Sequence, residues 1–172
     1  MGFYPPNKMT AINFKKKEQI KGSFDAYCEY HIYHNVGVEH KERKVTLIKH
    51  GGGKYTRKLN LVLPIPQFIL DVVSVETTVE LHEEITFSAG KLTSVIKSPK
   101  AWEAYLLFTE TLTCRPTKEG VEYELHVTGT NKLPAAIKGL VENYYTSSRV
   151  DQFRGDIGRT AAPSHDGLEI PQ

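Results

Sequence analysis

Three charged residues stand where apolar ones are expected. Arg57 falls in the alternating set Tyr55, Arg57, Leu59 and Leu61; Glu83 in the set Leu81, Glu83, Ile85 and Phe87; and Glu110 in the set Leu106, Phe108, Glu110 and Leu112. Successive side chains of an extended chain point to opposite faces, so each charge is carried inward with the apolar residues two positions away. A charge inside an apolar interior is costly unless paired or solvated. The three therefore imply either a mutual ion network or a roomy, partly wet cavity where the polar group of a ligand docks. Arg57 is the residue suited to an anionic head group, because its planar fork can hold a phosphate or carboxylate with two hydrogen bonds. Glu83 or Glu110 could instead serve as a general acid or base, with its pKa raised by burial. A β-bulge in any of these strands would turn the charge to solvent and remove it from both roles.

Other groupings have plainer accounts. His50-Gly51-Gly52-Gly53 is similar to the oxyanion loop of some esterases, but the Gly-x-Ser-x-Gly elbow is absent and the glycines suit a tight hairpin. Gly53-Lys54-Tyr55 lacks the Ser or Thr and the glycine spacing of a P-loop. Glu80, His82 and Glu84 share a strand face, as do Glu122, Glu124 and His126. Carboxylates with imidazole can hold a metal, yet both triplets alternate with strongly apolar faces, as a solvated outer sheet surface should, so no metal or other cofactor is assigned. His31 and His34 are three apart and would need a local helix to share a ligand. Cys28 and Cys114 fall on apolar faces as small buried hydrophobes, and no sequence feature supplies a base to activate either.

The elements that must position these groups are mostly strands. Within 172 residues, enough for one ordinary domain, period-two segments recur between turn-formers. They run over Phe24–Ile32, Val45–Leu47, Tyr55–Leu63, Phe68–Val75, Val79–Phe87, Leu92–Ile96, Leu106–Cys114 and Val121–Val127. After Gly129 the period changes to 3.6. Leu133, Ile137, Leu140, Val141 and Tyr144 share one stripe, which predicts a helix from Pro134 toward Phe153. Residues 1–21 read as a basic N-terminal arm, 22–153 as a single ligand-binding domain, and 154–172, rich in Gly and Pro, as a disordered tail.

Several antiparallel strands closing with a hairpin and followed by a long amphipathic helix resemble the helix-grip fold of the START-like, Bet v 1-like superfamily. The text is similar in style to its lipid-handling branches over roughly Tyr55 to Phe153. It runs from Lys54-Tyr55-Thr56-Arg57-Lys58-Leu59 through Val79 to Phe87 and Lys97-Ser98-Pro99-Lys100 to Ile137-Lys138-Gly139-Leu140-Val141-Glu142. The resemblance implies an α+β fold in which a curved antiparallel sheet wraps the C-terminal helix. One departure is that the superfamily places two short helices between its first two strands, for which Asn35–Arg43 is too short and too polar, so either those helices sit in the N-terminal arm, or Phe24–His34 is partly helical, or the resemblance does not hold. A lipocalin-like β-barrel with a C-terminal helix is the competing architecture.

Either architecture encloses an apolar interior, and the expected function is noncatalytic binding or transfer of a lipid or other hydrophobic small molecule between sheet and helix. Tyr55, Arg57, Leu59, Leu61, Glu83, Phe87, Phe108, Glu110, Tyr123, Ile137, Leu140 and Tyr144 are the expected lining. An enzyme on the same scaffold, a cyclase, hydrolase or isomerase using a pocket carboxylate, is the first rival. A protein interaction module presenting Tyr27, Tyr33 and Trp102 is the second. A formal charge of +2 argues against nucleic acid as partner. Two cysteines and the lack of a secretory signal or a 20-residue apolar run point to the cytoplasm, with transient membrane contact open to Lys15, Lys16 and Lys17.

Overall fold

A computed structural model of the chain describes residues 10–38, 43–62, 67–71, 77–88, 90–132, 139, 143, 147 and 149–161. In chain order its elements are β1 (Thr10–Ile20), α1 (Phe24–Tyr33), β2 (Arg43–Gly51), β3 (Lys54–Val62), α2 (Gln67–Leu70), β4 (Thr78–Ser88), β5 (Lys91–Lys97), a 3-10 turn (Lys100–Trp102), β6 (Leu106–Pro116), β7 (Val121–Asn131) and α3 (Val150–Ala161). The strands form one antiparallel sheet in the order β1-β7-β6-β5-β4-β3-β2. β1 and β2 lie at opposite edges, so the sheet is curved and open and the barrel alternative does not apply. Among the described residues no helix is long and apolar enough to cross a membrane.

Four expectations are corrected. Phe24–Ile32, read first as a strand with a partly helical Phe24–His34 as the alternative, is helix α1. The segment carries period two, but Phe24, Tyr27, Cys28, His31 and Ile32 also make a helical stripe, and these are the residues that α1 buries. Ser23 decides between the two by capping the helix, its hydroxyl accepting from the Ala26 amide at 3.3 Å. Residues 10–20, read as part of a loose arm, are edge strand β1, paired along its whole length with β7. Ile12, Phe14 and Ile20 face the core, and the lysine run that obscured this alternation is a usual safeguard of an edge strand. α1 thus follows a strand drawn from the supposed arm and fills the place where the resemblance expects short helices.

At the other end the chain stays helical through Ala161, so Arg154–Ala161 is not part of a disordered tail. Val150, Phe153 and Ile157 pack α3 onto the core, and Ile157 lies so close over Gly22 that a Cβ there would meet its side chain at 2.8 Å. Within Phe68–Val75, Phe68–Leu70 belongs to the short helix α2 rather than a strand, while 72–75 lies outside the described residues. Of the helix expected from Pro134, most of 134–148 also lies outside them.

The β2–β3 turn illustrates how local chemistry sets the register. Gly52 and Gly53 both have left-handed φ, of 64° and 77°. Around Gly52 a Cβ would meet nothing within 4 Å, whereas at Gly53 it would lie 2.0 Å from the Phe87 carbonyl oxygen. Gly52→Ala should therefore cost about 1–2 kcal/mol, the strain of the backbone region alone. Gly53→Ala should cost clearly more, because the β3–β4 pairing must move; chemical denaturation of the two variants measures the difference.

Candidate functional site

The strand registers put the three inward charges on one line. Read across the sheet, Leu47, Arg57, Glu83, Ile96, Glu110, Val127 and Phe14 are successive partners on β2, β3, β4, β5, β6, β7 and β1. None of the charges is turned out by a bulge: Arg57 is 0% exposed, Glu83 4% and Glu110 5%. Most of their partners come from α1, from β5 and from Arg149, the residue before α3.

Arg57 reaches the end of α1, where helix carbonyls lack intrahelical donors. Its Nη1 donates to the His31 carbonyl and its Nη2 to the His34 carbonyl at 3.0 Å, placing a cation at the negative end of the helix dipole. Nη1 also lies 2.7 Å from His34 Nδ1. The remaining donor, Nε, sits 3.6 Å from Glu83 Oε1 and has no hydrogen-bond partner among the described residues. Glu83 Oε2 takes a hydrogen bond from the Ser94 hydroxyl at 2.8 Å and lies 3.0 Å from His31 Nε2, while His31 Nδ1 is 3.2 Å from the Tyr27 hydroxyl. Farther along the row, Glu110 Oε1 accepts from Arg149 Nε at 3.1 Å and Nη2 at 2.6 Å, and the same guanidinium lies over the Phe153 ring.

This row divides the inner face of the sheet. On one side Ile85, Leu92, Ser94, Leu112, Cys114, Val121, Tyr123 and Leu125 are buried beneath α1 and α3. On the other, Leu59, Leu61, Leu81 and Phe108 are only half-covered, as is Ile96 within the row, until Val79, Leu106 and Asn131 close the far end. A strip of apolar side chains is thus bordered by charge along one flank.

An antiparallel sheet packed against helices in this order is found in solved structures at low sequence identity. Ara h 8.0201 superposes with a TM-score of 0.54 at 12% identity, covering 88% of this chain and 98% of that one. The chain has the helix-grip fold. Norcoclaurine synthase from Thalictrum flavum matches with a TM-score of 0.49 at 12% identity, over 92% of this chain and 94% of that one. The di-domain ARO/CYC StfQ from the steffimycin biosynthetic pathway matches with a TM-score of 0.48 at 15% identity; the alignment covers 88% of this chain and spans 49% of StfQ. No protein-family model matches the sequence, and no curated protein does.

Within the helix-grip frame, the expected lining residues separate. Leu59, Leu61 and Phe108 form the strip with Leu81 and Ile96, which had not been singled out. Tyr55 and Phe87 are half-buried across the row and engaged with α1 and its end: Tyr55 meets Tyr33 edge-on at 6.5 Å, and Phe87 stacks on Phe24 at 6.2 Å. Tyr123 is core, packed on Phe153 with its hydroxyl donating to Glu18 at 2.7 Å. Ile137, Leu140 and Tyr144 lie outside the described residues. Of the aromatics considered for a partner surface, Tyr27 is buried and Tyr33 and Trp102 are half-buried.

His31, His34, Ser94 and Arg149 were missed as members of the site. The two histidines are visible as site candidates only once α1 is read as a helix, which brings their rings to 6.2 Å. Among the described residues no cluster of three or more groups is arranged to hold a metal.

The electrostatics correct one expectation. Burial alone would raise the pKa of Glu83, but the His31 ring, the Arg57 guanidinium and the Ser94 hydroxyl outweigh it and hold the carboxyl at about 2. Glu83 is therefore ionised at neutral pH and is no general acid. Burial pushes the Cys28 thiol up to about 12 and the Cys114 thiol in the same direction, which suits inert core residues. Burial, then Arg57 and the His31 ring, lower His34 from its ordinary 6.5 to about 4.

Two outcomes follow for stability. A histidine kept neutral by the fold contributes fully above its unfolded pKa and loses that contribution as protons bind. Denaturation midpoints should therefore fall from pH 6.5 toward pH 4, and His34→Asn should flatten that slope. The Glu83 contribution is present above pH 4.5 and disappears toward pH 2, a separate, lower window absent from Glu83→Gln. At neutral pH, Arg57→Met should cost about 3–5 kcal/mol in urea denaturation, since it leaves Glu83 short of a partner and two helix carbonyls bare. A loss below about 1 kcal/mol would show that the row is not a structural clamp.

Proposed function

We propose that the chain is a noncatalytic carrier that binds a lipid or another hydrophobic small molecule against the half-covered strip, between the curved sheet and the C-terminal segment. The observation that carries this reading is the division of the inner face: a solid core on one side of the ion row and incompletely covered leucines and phenylalanine on the other. An apolar ligand would complete that burial at about 25 cal/mol per Å² removed from water. Leu59, Leu61, Leu81, Ile96 and Phe108 make the wall, and Ile137, Leu140 and Tyr144 stay further proposed ligand contacts.

In this reading Arg57, Glu83 and Glu110 border the polar end of the ligand rather than clamp it. The Nη groups of Arg57 are spent on α1, and Glu110 is spent on Arg149. The rival enzyme needs a carboxyl ready to exchange protons, a role that the ionised Glu83 does not fill. Two free, buried thiols suit a reducing compartment such as the cytoplasm. The Lys15–Lys17 run is a weak basis for membrane contact. Its alternation sends Lys15 and Lys17 to the outer face, where they pair with Glu124 and Glu122 at 3.4 and 3.6 Å.

Native mass spectrometry of the purified protein should show one added mass that an organic extraction removes. Leu59→Trp, which fills the strip from its β3 side, should lower the affinity for an apolar fluorescent probe about tenfold or more, while overpacking costs about 1–3 kcal/mol of stability. A bare protein mass together with no probe binding would overturn the carrier reading.

A further inference from the structure

His50-Gly51-Gly52-Gly53 carries the chain from β2 into β3, and the glycines alone account for the turn. They do not account for the way the histidine is held. His50 stands at a shift of register: Lys49 pairs with Tyr55 and Gly51 with Lys54, and His50 falls between the two pairs. Its Nε2 lies 2.6 Å from the Thr56 hydroxyl oxygen, and that hydroxyl donates to Glu84 Oε2 at 2.8 Å. A hydroxyl has one proton to give. With Thr56 giving it to Glu84, the contact requires Nε2 to carry the ring proton and donate to Thr56, which leaves Nδ1 of the neutral imidazole a bare lone pair. Among the described residues nothing bonds Nδ1.

Thr56 and Glu84 are register partners on the outer face of the sheet, opposite to the face of Arg57 and Glu83. A carboxylate acting on one ring nitrogen, here through a hydroxyl, fixes the tautomer and makes the other nitrogen more basic, which is the support that metal-ligating histidines have. The next residues supply further donors. Gly51 and Gly52 are exposed, and a Cβ at either would meet nothing within 4 Å, whereas Gly53 is held by its carbonyl, which accepts from the Phe87 amide at 2.6 Å. Two amide nitrogens that follow the imidazole directly, with no side chain about them, can fold back on a metal held at Nδ1. Zinc favours a tetrahedral set of side chains, and among the described residues no three His, Cys, Asp or Glu groups form one. Tetragonal nitrogen and oxygen donors suit copper(II), the strongest binder of the divalent first-row series and so the metal best able to displace amide protons.

We infer that the β2–β3 turn is a copper(II) site, anchored by His50 Nδ1, with the deprotonated amide nitrogens of Gly51 and Gly52 beside it and oxygen completing a tetragonal set. Two protons leave to solvent for each copper bound, so the charge of the site does not change. Lys54 on the outer face therefore does not oppose binding, and Lys49 is drawn away over the Tyr33 ring at 5.1 Å. Only the Gly51–Lys54 pair, at the end of the ladder, has to loosen. Reduction to copper(I), which favours thiolate and thioether ligands, releases the metal, so the site is loaded only where copper stays oxidised. The turn is not part of the apolar strip, and the inference does not rest on the carrier reading.

The test is titration of the full chain with copper(II) alone, followed by electron paramagnetic resonance and by calorimetry in buffers of different ionisation enthalpy. A single copper should bind with a tetragonal signal split by several nitrogens, releasing about two protons. His50→Ala, at an exposed position where packing is not disturbed, should lower the affinity about a hundredfold, and Thr56→Val about tenfold. His82→Ala removes another exposed histidine, one paired with Glu80 on the outer face, and should leave the affinity unchanged.

Equal losses in His50→Ala and His82→Ala would overturn the inference, since the copper would then be scattered over surface histidines. So would a signal split by one nitrogen with no proton release, which is ligation without the backbone. Zinc(II) displacing copper at equal concentration would overturn it as well, because amide nitrogens do not give up their protons to zinc at neutral pH.

Discussion

The arrangement depends on the solution found for one guanidinium. Arg57 is withdrawn from water on the inner face of the sheet, one strand from its β2 edge, a position costly enough that it must be over-determined by its surroundings. Its partners come from two directions: Glu83 from the next strand, and the carbonyls of His31 and His34 from the end of α1. Each side solves a problem of the other. The helix end has acceptors without donors, the strand has a cation without solvent, and the carboxylate keeps the local charge balanced. His31 and Ser94 then satisfy Glu83, so α1 is placed on the sheet by polar geometry as well as by the apolar stripe beneath it.

That clamp also explains why the inner face is not uniform. Helices that must meet Arg57, Glu83 and Glu110 are drawn to the row those residues occupy, and the side chains on the α1 and α3 side become a packed core. The leucines beyond the row receive no such cover from α1 or α3 and stay half-exposed. Hydrophobicity alone would favour spreading the helices to cover as much apolar surface as they can; the ion row sets where they sit instead. The apolar strip is the area left over, which links the carrier reading to the buried charges without requiring those charges to touch a ligand.

Much of this was legible in the residues, and the exceptions share a cause. Strands β3, β4, β6 and β7 alternate cleanly, so their inner faces and the three charges upon them could be read directly. The segment from Phe24 to Tyr33 satisfies two periods at once, and only the Ser23 cap tips it to helix. Reading it as a strand hid His31 and His34 and thus the partners of Arg57 and Glu83. β1 was hidden for the opposite reason: the three lysines swamp an alternation that depends on Ile12, Phe14 and Ile20. The registers that line up Arg57, Glu83 and Glu110 are properties of pairing between distant segments, and no single segment contains that information.

The pairing of β1 with β7 has a consequence for biosynthesis. Among the described residues, the eleven of β1 find their one sheet neighbour in Val121–Asn131, more than 100 positions away. As the polypeptide leaves the ribosome, β1 has no template on which to settle until Val121–Asn131 has followed it. Closing so large a loop before any reward is gained slows folding, and it leaves an unsatisfied backbone and a run of lysines waiting in solution. Those lysines would keep nascent chains apart during the wait, since like charges repel at the edge where two unfinished copies could otherwise join.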